Sequence, residues 1–188
     1  MLHKILLTVL GIICLNFTAN SQSKTMVGIK LDAFSALHES FKTAPAVSLT
    51  LNRHYGAHHG LETGLTYYKE SYQLDLISLS YPRINRHYLA LPLSYKYYSS
   101  KLCFSAGMIL SQYIGWDYGG TDAKLTGYSS AEYDTSVGLL LSVSKQIKLS
   151  DQDLLEPTIF FQPMVDVDMK WFAGIGIAYK FQVGRKKE

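Results

Sequence analysis

The chain has 188 residues, 47% of them hydrophobic and 18% charged, with a net charge of +3. That length suits one domain, the apolar content is too high for a disordered chain, and 5 Pro with 14 Gly are too few for a collagen-like or low-complexity one. The basic residues are scattered rather than gathered in a stripe, which argues against nucleic acid as a partner, and 2 Cys exclude a disulfide scaffold and a cysteine-only zinc site.

The first segment, residues 1–21, has the pattern of a secretory signal peptide. His3 and Lys4 form a short positive start, residues 5–17 are mostly apolar, and Ala19-Asn20-Ser21 places small residues around a cleavage site. The apolar stretch is short of the roughly 20 residues a transmembrane helix needs. Ile12 and Ile13 precede Cys14 where a lipoprotein signal wants small residues. Cleavage leaves residues 22–188 as one domain, lowers the net charge to +2 and retains a single cysteine, Cys103.

Beyond the signal segment no window carries a sustained helical period or a long apolar run, so a helical membrane protein is excluded. Period-two alternation recurs instead, the pattern of a strand with one apolar face. Val27, Ile29 and Leu31 alternate with Gly28, Lys30 and Asp32, and Val47, Leu49 and Leu51 with Ser48, Thr50 and Asn52. Leu61, Leu65 and Tyr67 alternate with Glu62, Gly64 and Thr66, and Leu89, Leu91, Leu93, Tyr95 and Tyr97 with Ala90, Pro92, Ser94 and Lys96. Over residues 102–116, Phe104, Met108, Leu110, Ile114 and Trp116 share one face, while Cys103, Ser105, Gly107, Ile109, Tyr113 and Gly115 share the other. Residues 135–144 alternate Val, Leu and Ser, residues 155–162 follow the same rule more weakly, and residues 171–183 alternate Trp171, Ile175, Ile177, Tyr179 and Phe181 with Gly174, Gly176, Ala178 and Lys180.

These are eight strands. Most can reach the roughly ten residues a tilted strand needs to cross a bilayer, against an ordinary strand of about five to six. An even set of long strands behind a signal peptide predicts an eight-stranded antiparallel up-and-down transmembrane β-barrel, which closes and so leaves no edge. An N-terminus in the periplasm puts the turns near residues 55–60, 98–101 and 149–153 on that side. The longer connections, near 75–85 and 117–130, then face outside. Tyr55, Tyr95, Tyr97, Phe104, Tyr179 and Phe181 would form a belt at the periplasmic interface, and Phe34, Trp116 and Trp171 one at the outer interface.

The polar face becomes the lumen. It carries Lys30, Asp32, Glu62, Glu70, Lys96, Asp134, Glu156 and Lys180, both signs in comparable number. Eight strands enclose a bore just wide enough for side chains to fill it, so these groups are expected to pair across it, since an unpaired buried charge is costly. A soluble, lipocalin-like secreted barrel would turn the faces the other way. However, the polar face here is rich in Gly, Ala and Ser and poor in the charge that solvent-facing surfaces carry.

The segment His87-Tyr88-Leu89-Ala90-Leu91-Pro92-Leu93-Ser94-Tyr95-Lys96-Tyr97 resembles the fourth strand of the small outer-membrane barrels common in Bacteroidetes, the PorT-like and OmpA-type barrel domains. Residues 60–68 are similar to that family's third strand, and 174–181 to its last. The resemblance implies an eight-stranded barrel in the outer membrane, with no single activity. The partners expected of such a barrel are the bilayer and its lipopolysaccharide, the barrel-assembly machinery and an unidentified protein at the outer loops. The chain departs from the pattern at its end, where residues 182–188 follow Phe181 as a basic tail. Pro92 removes a ladder donor and is accommodated most simply by a bulge.

Candidate chemistry is sparse, and no catalytic, cofactor-binding or metal-binding residue is predicted. His54, His58 and His59 cluster at one turn without a Cys or carboxylate at ligand spacing, which fits a solvated polar turn. His38, Ser40, Ser80 and His87 near the outer rim are the residues a lipid A-modifying enzyme would need, yet no motif links them. The expected role is therefore structural or interaction-based: membrane integrity, adhesion or partner docking.

Overall fold

Strict alternation commits a segment to one face in and one face out, and the structure, a computed structural model, resolves which is which. It describes residues 24–37, 44–73, 83–118, 135–165 and 170–183. The elements are β1 (Thr25–Ala36), β2 (Ala44–Tyr55), β3 (His59–Gln73), β4 (Arg83–Tyr98), β5 (Cys103–Tyr118), β6 (Thr135–Ser144), β7 (Ile147–Lys148), β8 (Asp153–Pro163) and β9 (Trp171–Val183). Among the described residues there is no helix. All pairings are antiparallel, in the order β6-β5-β4-β3-β2-β1-β9-β8-β7, and β6 also pairs with β8. That last pairing closes the sheet. β7 keeps the register of β6 against β8, Ser144 opposite Thr158 and Ile147 opposite Leu155, so the two segments are one stave. The result is a closed barrel of eight staves.

The start of β1, the end of β9 and three short turns share one end of the barrel, the turn end. Thr25 lies opposite Val183 there, and the turns join β2 to β3, β4 to β5 and β7 to β8. At the opposite, loop end the described strands stop, and residues 38–43, 74–82, 119–134 and 166–169 lie outside the described residues. β5 runs to Tyr118, so the fifth connection begins later than the 117–130 expected from composition. The expected signal peptide, Asp134 and residues 184–188 also lie outside the described set.

The in–out assignment follows the alternation. Ile29, Leu31, Leu49, Leu139, Ile159 and Ile175 face outward and are exposed, Ile175 by 64%. Met26, Ala46, Ser48, Thr50, Asn52, Ala90 and Ser94 face inward and are buried. Two positions break the expected pattern. Phe34 is not in an outer belt: it points into the lumen and is buried, as the odd-numbered outward phase of Val27, Ile29 and Leu31 requires. Between β4 and β5 the register shifts, with His87 opposite Gly115 and Tyr88 opposite Tyr113. Ile114 is thus the extra residue of a β-bulge, and Gly115 takes a φ of +154°, which a side chain would strain. The bulge inverts the phase beyond it and brings Asp117 outside beside His87.

No bulge occurs at Pro92. The β3–β4 register is the same on both sides of it, Thr63 opposite Leu93 and Thr66 opposite Ala90. The ladder lapses between those pairs, where the proline has no N–H to donate, and the Thr63 hydroxyl donates to the Pro92 carbonyl at 2.9 Å instead.

Small residues let the lumen close. A Cβ on Gly107 would sit 2.1 Å from the Leu93 carbonyl oxygen and 2.5 Å from the Ser94 Cα. Both are backbone atoms that cannot swing aside. Gly107→Ala is expected to cost about 1–3 kcal/mol through forced backbone displacement, read as a lower urea midpoint for the folded barrel. An unchanged midpoint would mean that β4 and β5 can part at that level.

Candidate functional site

The lumen is built in layers. A short way in from the turn end, Glu62 on β3 and Lys96 on β4 face Glu156 on β8 and Lys180 on β9, which lie on the opposite wall. Alternation points all four inward, and the bore is narrow enough for their termini to meet. Lys96 Nζ is 2.9 Å from Glu62 Oε2 and also contacts Glu156 Oε1. Lys180 Nζ is 2.5 Å from Glu62 Oε2 and 2.9 Å from Glu156 Oε2. Each lysine therefore touches both carboxylates, and the four form a closed ring of zero net charge. The side chains of Lys96, Lys180 and Glu156 are each 2% exposed. Ser144 Oγ donates to Glu156 at 2.9 Å, and Asn52 Nδ2 to Glu62 at 3.1 Å. Tyr98 Oη donates to Asn52 Oδ1 at 3.0 Å, which extends the network to the turn end. The expected pairing of Glu62, Lys96, Glu156 and Lys180 is observed, with a fully connected hydrogen-bond set around it.

Toward the loop end, Lys30 pairs with Asp32 at 2.9 Å and lies over the Phe160 ring at 5.0 Å. Above them the bore is filled with aromatic rings. Phe34 meets Tyr68 and Phe172 edge-on at centroid distances of 5.4 and 5.5 Å, Tyr68 stacks on Tyr88 at 5.0 Å, and Tyr88 meets Tyr113 at 5.8 Å. Between ion ring and aromatic plug lies a cavity of about 60 Å³ lined by Ser48, Thr50, Thr66 and Gln162 among others, enough for a few waters. Glu70, also expected in the lumen, is buried. Salt-bridge ring and plug together leave no wide passage through the described residues.

The sequence-selected histidines do not converge. His54 stacks on Tyr98 at 4.3 Å, His58 Nδ1 meets the Tyr98 carbonyl oxygen at 2.9 Å, and His59 Nδ1 bonds the Tyr95 hydroxyl. Among the described residues no three His, Cys, Asp or Glu side chains are grouped to hold a metal. At the other end, His38, Ser40 and Ser80 lie outside the described residues. His87 is engaged on the outer wall. Its Nδ1 is 2.5 Å from Tyr67 Oη and its Nε2 2.9 Å from Asp117 Oδ2. Asn85 Nδ2 donates to the other Asp117 oxygen, and Ser71 Oγ donates to Asn85 Oδ1 at 2.8 Å. This polar chain across β3, β4 and β5 depends on the bulge, which is why regular alternation does not assemble it.

The fold and its lumen define a class: small, closed, antiparallel barrels with an apolar outside and a polar, side-chain-filled inside. Comparison with known proteins agrees on the fold. No protein-family model and no curated protein sequence matches the chain. Among solved structures, a major outer membrane protein from Thermus thermophilus is similar at a TM-score of 0.58 and 11% identity, over 86% of this chain and 100% of that one. Ail, the attachment invasion locus protein of Yersinia pestis, in complex with the heparin analogue sucrose octasulfate, gives 0.52 at 9% identity, over 86% and 97%. Neisserial surface protein A gives 0.51 at 9% identity, also over 86% and 97%. At such identities the likeness establishes the eight-stranded barrel fold.

Proposed function

We propose that this chain is an outer-membrane β-barrel with a structural or interaction role: membrane integrity, adhesion or partner docking, with a filled interior and no enzymatic activity. One observation carries the reading. The large hydrophobic residues exposed all round the barrel wall are Leu, Ile, Val, Met and aromatics, while Lys30, Asp32, Glu62, Lys96, Glu156 and Lys180 are enclosed in the lumen and paired. A soluble protein rarely exposes a contiguous apolar patch beyond a few hundred Å²; in a bilayer this arrangement is the required one. Tyr55, Tyr95, Tyr97, Phe104, Tyr179 and Phe181 are all exposed near the turn end, as rings at a membrane interface would be.

In this reading residues 1–21 are a cleaved signal peptide, residues 22–188 form the barrel domain and the turn end faces the periplasm. The motifs in β3, β4 and β9 support membership of the PorT-like and OmpA-type barrels of Bacteroidetes. The partners are the bilayer with its lipopolysaccharide, the barrel-assembly machinery and a protein met at the outer loops. Two neighbours are described as an attachment protein and a surface protein, which supports a docking role for the loop end.

Membrane fractionation of the expressed chain, followed by gel migration with and without boiling in detergent, tests the proposal. Recovery in the outer membrane with a faster unheated band is expected. Recovery as a soluble periplasmic or secreted protein would overturn it.

A further inference from the structure

The turn end holds a cavity of about 230 Å³ that the filled lumen does not account for. Its floor is the Tyr98 and Cys103 end of the bore, and its walls include Lys24, His54, Lys101, Gln146 and Lys148. These come from segments far apart in the chain and are brought together by barrel closure. Their chemistry is lopsided. Lys24, Lys101 and Lys148 form no salt bridge among the described residues. His54 Nε2 and Gln146 Nε2 are buried and lack a hydrogen-bond partner, a state that ordinarily costs free energy. Burial, and after it the Lys148 ammonium, push the Lys24 ammonium below its ordinary pKa, so the two cations lie within electrostatic reach of each other.

Two carboxylates also line the cavity, Asp151 and Asp153. Asp153 is committed: it accepts from Ser150 Oγ at 2.8 Å and is hydrogen-bonded to Tyr179. Asp151 is exposed. Three ammonium groups and two unsatisfied nitrogens therefore meet one uncommitted carboxylate.

We propose that this cavity binds an oxyanion, a carboxylate or phosphate carried on a small molecule. A charged acceptor satisfies several of these donors at once, through the shorter and stronger hydrogen bonds that ionised groups make. The volume is below the roughly 300–1,000 Å³ of sites for drug-sized ligands, so the occupant is one anionic group with a short stem. That the ligand is met in the periplasm rests on the orientation proposed above; the chemistry of the cavity does not.

The test uses the full chain folded in detergent, with its unheated gel mobility as the check on folding. It is titrated calorimetrically with sodium phosphate, N-acetyl-dialanine and N-acetyl-dialanine amide, at constant ionic strength set by chloride. Saturable binding of phosphate or of the free-carboxylate peptide is expected, with no binding of the amide. The double variant Lys24→Gln/Lys148→Gln, whose changes lie outside the lumen, is expected to keep the folded mobility and weaken that binding at least tenfold. Lys101→Gln alone should weaken it less. The better of the two oxyanions identifies the source, peptide or phosphate ester. Absence of binding by a folded barrel, equal binding of the amide, or unchanged affinity in the double variant overturns the site and leaves the membrane reading intact. Recovery of the chain as a water-soluble barrel overturns the membrane reading, and the same titrations in buffer then decide the cavity.

Discussion

Lys180→Met is expected to destabilise the barrel by about 3–5 kcal/mol, the cost of removing one partner from a buried ion pair. The substitution keeps the length of the stem and removes only the ammonium. Glu62 and Glu156 would then share Lys96 alone, and the ring would carry one uncompensated negative charge. Little water can relieve it: Glu156 and Lys96 are each 2% exposed and the adjoining cavity is only about 20 Å³. The measurement is a urea titration of the barrel folded in lipid vesicles, read by the fraction that keeps the folded mobility. Its companion is the charge-balanced double variant Lys180→Met/Glu156→Gln. This leaves the Lys96–Glu62 pair intact, and the amide oxygen introduced by Glu156→Gln can still accept from Ser144. The double variant should recover more than half of the loss, because a large part of the single-variant cost is the stranded charge rather than the lost attraction. A single-variant cost under about 1 kcal/mol, the range of a solvated surface pair, would sink the idea that the ring is sealed from water.

The ring also marks how far the sequence can be read. Alternation with period two places Glu62, Lys96, Glu156 and Lys180 on the inward face, because each strand must give one whole face to the surroundings. It says nothing about which lysine meets which carboxylate. Lys180 and Glu62 are 118 residues apart, and their meeting depends on the stagger accumulated around the closed sheet. Phe34 is legible in the same alternation: the phase of Val27, Ile29 and Leu31 points it inward, and only the expectation of an outer aromatic belt assigns it outward. Local chemistry hides the bulge. Ile114 and Trp116 extend the apolar rhythm of β5, and the Gly115 that permits the phase change looks like any other small lumenal residue. The cavity at the turn end is not legible locally: His54 stands out only with His58 and His59, which do not line it, and Lys24, Lys101 and Gln146 each sit in a polar stretch until closure gathers them.

Leu49→Arg distinguishes a lipid-facing wall from a water-facing one. Leu49 lies near the middle of β2, opposite Ile29 on β1 and Leu65 on β3, and its side chain is 60% exposed on the outer wall. Its near neighbours on that wall are apolar: Leu31, Val47 and Tyr67 are exposed beside it. In a bilayer this position is close to the midplane, where an arginine costs about 2–4 kcal/mol, falling to about 0–1 near the interfaces. In water the same change at an exposed site would fall within about ±0.5 kcal/mol. The two readings are thus separated by several times the usual error of a denaturant midpoint. A second substitution fixes the depth scale: Tyr55→Arg, at the turn end of the same strand, should cost no more than about 1 kcal/mol. A large cost at Leu49 with a small one at Tyr55 is the pattern of a membrane-spanning stave. Small costs at both would mean that this apolar wall meets water or another protein, and would invert the solvent assignment of the whole barrel.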